Sequence, residues 1–275
     1  MYPEMPKMII PMMNNTDDAA DNATLHLTAA FLADYASLLL GSGATCIRTE
    51  KNTRRMASAF GYGFDISIMP THVYVWVWGE DESRRDIAVR KTADSGISFH
   101  INALLSRLSW EVADNHLDFQ TAESRFKIIC KTPPTGRTEV LLLTSLANAS
   151  FCRLFGGDVT AMLIVFFSTL LGFRLKQIML EERFDVRLTF LCASFFSATF
   201  SAAGHIFGIG STPEIALGTS VLYLIPGVPY MNAVSDMLYC HYLCAFSRFM
   251  DAAILTACLS AGLCAGMLIL GMKWF

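Results

Sequence analysis

The sequence predicts an α-helical integral membrane protein with five transmembrane helices, the fourth one broken, and a cytoplasmic α+β domain at its N-terminal end. Three observations carry this. Of the 275 residues 53% are hydrophobic and only 16% charged, with mean hydropathy +0.42, which is too apolar for an ordinary soluble chain. The charge is uneven, because residues 1–137 hold most of it while 138–275 run in long apolar stretches. The run from Glu214 to Asp236 starts with membrane quality and is then interrupted by Pro226-Gly227-Val228-Pro229. A net charge of −3 gives no reason to invoke nucleic acid.

Residues 1–22 mix methionine, proline and acid. A secretory signal needs a basic start and an unbroken apolar core, and Pro11, Asp17, Asp18 and Asp21 interrupt it. A disordered tail that begins inside the cell is expected. Residues 23–134 read as the α+β domain. Leu25, Leu27, Phe31, Leu32, Tyr35 and Leu38 to Leu40 form one helical apolar face, which Gly41-Ser42-Gly43 ends. A second helix follows over Thr45 to Phe60, with Arg48, Glu50, Lys51, Arg54 and Arg55 on its wet side. Three alternating stretches, Phe64 to Met69, His72 to Trp78 and Asp86 to Lys91, read as strands. Helices near Ile101 to His116 and Thr121 to Lys131 complete the domain, and Thr132-Pro133-Pro134-Thr135-Gly136 is a linker.

Residues 135–275 form the membrane domain. Its expected spans are Thr138 to Phe155, Asp158 to Leu175, Leu188 to Phe207, a broken fourth from Pro213 to about Tyr239, and Phe249 to Met272. Arg174, Lys176, Arg183, Arg187 and Arg248 fall in the loops after spans two and four, against Arg153 and Lys273 on the other side. The positive-inside rule then puts the N-terminal domain in the cytoplasm and Phe275 in the periplasm. Small residues on spans three and five suit close helix packing. Asp158 suits a cap for span two at the outer surface. Asn148 lies near the middle of span one, where an amide serves either as interhelical glue or as pathway lining.

The break is the candidate site. Ser211-Thr212-Pro213-Glu214 is a helix start with a hydroxyl cap and a proline in the first turn, and from Pro213 to Ile225 the helix would run about 20 Å. That sets the hinge about two-thirds of the way across a ~30 Å core. Prolines end helices, and unwound backbone in a bilayer is tolerated only in protein or along a cavity. The candidate substrate-binding residues are Pro226, Gly227, Pro229, Tyr230, Met231, Asn232, Asp236 and Asn148. Pro229 fits the first position of the second half-helix. The amides of Tyr230, Met231 and Asn232 would then face an anion at its N-terminus. Gly227 would let the backbone approach closely, Asn232 would add a donor, and Asp236 would receive an ammonium or guard the cytoplasmic mouth. The plainer alternative is a proline kink whose Asn232 bonds a neighbouring helix.

Other chemistry is sparse. His26, His72, His100 and His116 are scattered, without HExxH, GxSxG or CxxC around them, and no catalytic residue is named. Cys240-His241-Tyr242-Leu243-Cys244 has no second ligand pair at metal spacing, so neither a metal nor a cofactor is expected.

The pattern resembles the threonine/serine exporter family, specifically the larger subunit of its two-component form. Three features carry the likeness: Phe155-Gly156-Gly157-Asp158, Ser211-Thr212-Pro213, and Leu224 to Asp236 with its PGxPxxNxxxD pattern. Gly43-Ala44 followed by Arg48 and Glu50 resembles the family's GAETxRVE stretch, with Thr45 and Cys46 in place of Glu-Thr. The resemblance implies a bacterial inner-membrane exporter of small hydrophilic carboxylates, threonine/serine or a dicarboxylate such as succinate. It also implies a smaller multi-span membrane subunit as partner, with higher oligomers left open. An odd span count agrees, since it is one half of an inverted repeat. Two other readings compete: a membrane-anchored hydrolase with the soluble domain as catalyst, and a non-transporting regulatory scaffold.

Overall fold

A computed structural model describes residues 15–79, 84–93, 96–133, 135–206 and 210–270, which divide into two compact units between Thr132 and Pro133. The first unit is organised on α1 (Asn15–Gly41), which packs against a three-stranded antiparallel sheet of β1 (Gly63–Ile68), β2 (His72–Trp78) and β3 (Arg85–Lys91), in that order. Period-two alternation does this: Val73, Val75 and Val77 are buried on one face of β2, while Tyr74 and Trp76 stack on the other. Leu32, Tyr35, Ala36 and Leu39 of α1 are fully buried in the same core. Gly43, at φ +92°, makes the left-handed turn into α2 (Cys46–Ala59), which Thr45 caps. Then come α3 (Phe99–Asp114) and α4 (Phe119–Cys130). Residues 15–22, expected as part of a disordered tail, are instead the first turns of α1; the rest of that expected tail lies outside the described residues.

The second unit is a helical bundle of α5 (Arg137–Leu154), α6 (Val159–Glu181), α7 (Val186–Ile206), the short α8 (Pro213–Thr219), a 3-10 turn at Leu222–Leu224, α9 (Gly227–Leu238) and α10 (Tyr242–Ile269). Among the described residues three helices are long and apolar enough to cross a membrane, Asn22–Gly41, Val159–Glu181 and Tyr242–Ile269, with a shorter apolar run at Val186–Ala202. The first of these is the α1 segment that packs on the sheet, whereas α5, with Arg137, Glu139 and Arg153, falls outside that set. Small residues let α7 and α10 meet closely. A methyl on Gly262 would overlap the Ser194 hydroxyl and the Leu191 carbonyl, and one on Gly266 would come to 2.9 Å from Ala198 Cβ. The Ser168 hydroxyl of α6 donates to the Ser197 carbonyl of α7 at 2.9 Å.

Three expected boundaries are corrected. Helix α6 runs to Glu181, so Arg174 and Lys176 lie on a helix rather than in a loop. Helix α10 starts at Tyr242, so Arg248 is helical too. The first half of the broken span stops at Thr219 and does not reach Ile225. At its end the Thr219 hydroxyl turns back to the Ile215 carbonyl at 2.6 Å and the Ser220 hydroxyl to the Leu217 carbonyl at 2.7 Å. The expected outer terminus at Phe275 lies outside the described residues.

Candidate functional site

The break opens on a cavity of about 450 Å³. Helix α5 supplies one wall through Thr144, Ala147, Asn148 and Phe151, with Phe155 beyond its end, and the unwound segment supplies the other through Leu222, Tyr223 and Ile225. This is unwound backbone lining a cavity, the arrangement that makes it tolerable in a membrane protein. Most of the wall is apolar; Thr144, Asn148 and Tyr223 bring its polar side-chain atoms.

Asn148 holds the break in place. It is 3% exposed, and its Nδ2 donates to the Thr169 hydroxyl of α6 at 2.6 Å and to the Thr219 carbonyl at 3.1 Å. The second bond satisfies a helix-end carbonyl that α8 leaves without an intrahelical partner. The amide is thus interhelical glue and cavity wall together. On the opposite side the Tyr223 hydroxyl bonds the Ser197 hydroxyl at 2.9 Å, and its ring meets Phe173 edge-on at 5.9 Å. Gly172 faces both hydroxyls so closely that a methyl there would overlap them.

The other predicted residues go elsewhere. Pro226 is buried as the N-cap of α9, and Gly227, not Pro229, is that helix's first residue. Pro229 still sits in the first turn, where its missing amide costs little. The Gly227 amide donates to the Ile225 carbonyl at 2.8 Å and the Tyr230 amide to Pro226 at 3.3 Å, so Tyr230 closes the helix instead of facing an anion. No protein atom would lie within 4 Å of a methyl on Gly227, so the space beside that backbone is open. The Tyr230 hydroxyl bonds Thr256 of α10 at 3.0 Å, and its ring packs on Phe249. Met231 is 74% exposed, and Asn232 is half-buried. Asp236 is fully buried and takes a 2.8 Å ion pair from Arg248. It is bound to an arginine of its own chain rather than waiting for an ammonium. The structure thus brings Asn148 to the break and turns Tyr230 and Asp236 toward α10.

A second cluster clasps the N-terminal ends of α6 and α8. Asp158 caps α6 through Ala161 N at 2.8 Å, and its other oxygen accepts from Ser211 N at 2.9 Å and the Ser211 hydroxyl at 3.0 Å. The Ser211 amide first, then that of Ala161, pulls its carboxyl down to about 2. The Thr212 hydroxyl, expected to cap α8, donates to Asp158 instead at 3.0 Å. Tyr223, Ser197, Thr169 and Arg248 were missed by sequence reasoning. Tyr223, an aromatic with a polar tip three residues before the proline, was the available signal.

Comparisons with known proteins point one way. The family model ThrE, described as "Putative threonine/serine exporter", matches residues 30–270. A "Probable succinate transporter subunit YjjP" of Klebsiella aerogenes is 26% identical over 255 residues, covering 92% of this chain and 98% of that protein. The protein of the same description from Escherichia coli (strain K12) is 27% identical over 238 residues, covering 86% and 91%. No solved structure matches.

Proposed function

This chain belongs to the threonine/serine exporter family, and we propose on that premise that it is the larger subunit of a two-component inner-membrane exporter of small carboxylates. The cargo is a dicarboxylate such as succinate, or threonine/serine. The observation that carries this reading is the cavity of about 450 Å³ whose wall is the unwound segment and Asn148. The relatives' description as a subunit supports a partner, and the odd number of spans supports one of opposite orientation.

In this reading α5, α6, α7, the broken α8–α9 segment and α10 each cross the bilayer. Helix α8 with 7 residues, the 3-10 turn with 3 and α9 with 12 sum to roughly 35 Å of rise, enough for a core of about 30 Å. With α8 only about 10 Å long, the unwound segment begins a third of the way in from the outer face and reaches the midplane, where transporters bind cargo. Exposed Leu142, Leu143, Leu146 and Leu154 on α5 are the surface offered to lipid or to the smaller subunit. The first unit faces the cytoplasm.

Uptake of labelled succinate and threonine into inverted vesicles, with the chain, the partner or both, tests the proposal. Uptake is expected only with both. Equal uptake with neither would sink it, and full transport by this chain alone in liposomes would remove the partner.

A further inference from the structure

We infer that Lys176 is the cationic group that meets the carboxylate of the cargo, an assignment that rests on the exporter reading above. A carboxylate leaving water for a low-dielectric site needs a cation or a set of strong donors. The cavity wall offers one carboxamide and two hydroxyls, from Asn148, Thr144 and Tyr223, and no charged side chain.

The described basic side chains of the second unit are otherwise accounted for. Arg137 pairs with Glu181, Arg248 with Asp236, and Arg153 donates to the Gly157 carbonyl. Arg174, Arg183 and Arg187 are exposed. Lys176 is different, because it is half-buried and turned inward onto rings. Its ammonium lies 4.6 Å from the centre of the Phe190 ring, itself 7% exposed, and 5.5 Å from that of Phe173. Among the described residues no carboxylate pairs with it. A lysine acting only as an interfacial anchor extends its head to water and headgroups.

Lys176 is also next to the site. Phe173 packs on Tyr223, a wall residue of the cavity, and Gly172, one turn before Lys176 on the same helix face, lies against the Tyr223 hydroxyl. Two rings, that of Phe173 and that of the wall residue Tyr223, therefore lie between the ammonium and the cavity. Ring faces hold a cation without neutralising it. The assignment requires a rotamer change at Phe173 and extension of the flexible lysine stem past Tyr223 toward an entering carboxylate.

The test uses inverted vesicles from the native host with wild type, Lys176→Met or Lys176→Arg at the chromosomal locus, together with succinate binding to the purified complex. Lys176→Met should raise the KM for succinate at least about tenfold, with expression and Vmax near wild type. The rise for threonine should be smaller, because the cargo's own ammonium offsets its carboxylate. Lys176→Arg should restore most of the affinity. An unchanged KM in Lys176→Met beside an active wild type overturns the assignment and leaves the exporter reading standing. So does an equal loss of Vmax for both cargoes that arginine does not rescue, which marks a packing residue. Wild type that neither transports nor binds either carboxylate overturns the exporter reading and this inference together.

Discussion

Gly172→Ala should unseat the broken segment. The added methyl would overlap the hydroxyls of Ser197 and Tyr223 and stand 3.4 Å from Tyr223 Cζ, where the two hydroxyls now bond each other at 2.9 Å. The tyrosine has little room to retreat, since Phe173 meets its ring at 5.9 Å and the adjoining Leu224 is 1% exposed. Overpacking of this kind costs about 1–3 kcal/mol, and parting the hydroxyls adds about 0.5–1.5 kcal/mol. A loss of roughly 2–4 kcal/mol should lower the melting temperature of the purified chain by about 5–15 °C. Adding Ser197→Ala and Tyr223→Phe removes both overlapping oxygens, so the triple variant should recover most of the melting temperature. Transport should stay impaired, because Tyr223 forms part of the cavity wall. A single variant that melts like wild type, or a triple variant no more stable than the single, would refute this account of how α6 holds the break.

Asn148→Leu removes bonds at 2.6 and 3.1 Å; at the roughly 0.6–1.7 kcal/mol typical of interhelical bonds in membranes it should cost about 1–3 kcal/mol, read by thermal melting, and sharply reduce vesicle uptake. Asp236→Asn leaves Arg248, 21% exposed, without its carboxylate; the expected loss is about 3–5 kcal/mol, with Asp236→Leu/Arg248→Met recovering much of it, and a single variant as stable as wild type would show the pair to be dispensable. Asp158 has its carboxyl lowered to about 2, so its stabilising contribution is complete above the ordinary value of about 3.9 and is lost as pH falls through about 2. Melting followed from pH 5 to pH 2 should therefore lose that contribution in wild type, and the loss should be absent in Asp158→Asn.

What could be read from the sequence was whatever neighbouring residues decide. Alternating valine and aromatic residues place β2 in a half-covered sheet, and Pro226 with Pro229 marks the second helix start to within two residues. The end of the first half-helix was not readable, because the Thr219 carbonyl meets an amide 71 residues earlier in the chain. The pair of Asp236 with Arg248 was hidden for a different reason: a helix start placed at Phe249 made the arginine a loop charge, and its role as a partner follows only when α10 begins at Tyr242. Gly172 sits in an apolar run with no local cue that two hydroxyls from other segments press against it. Among the candidate site residues, Asn148 was legible as a costly mid-span amide, while Tyr230 and Asp236 share a helix with Asn232 yet contact α10.

The central claim is that cargo occupies the cavity beside the break, and a thiol in its wall tests that directly. Thr144→Cys puts a reactive group on α5 facing the space, and peptide-resolved mass spectrometry separates it from the eight native cysteines. Maleimide labelling of residue 144 in vesicles containing both subunits should be slowed by succinate or threonine, with half-protection near the transport KM. A cysteine at exposed Leu268 should label at a constant rate. Labelling at 144 that does not change at saturating concentrations of every transported carboxylate would place the cargo elsewhere and contradict the account.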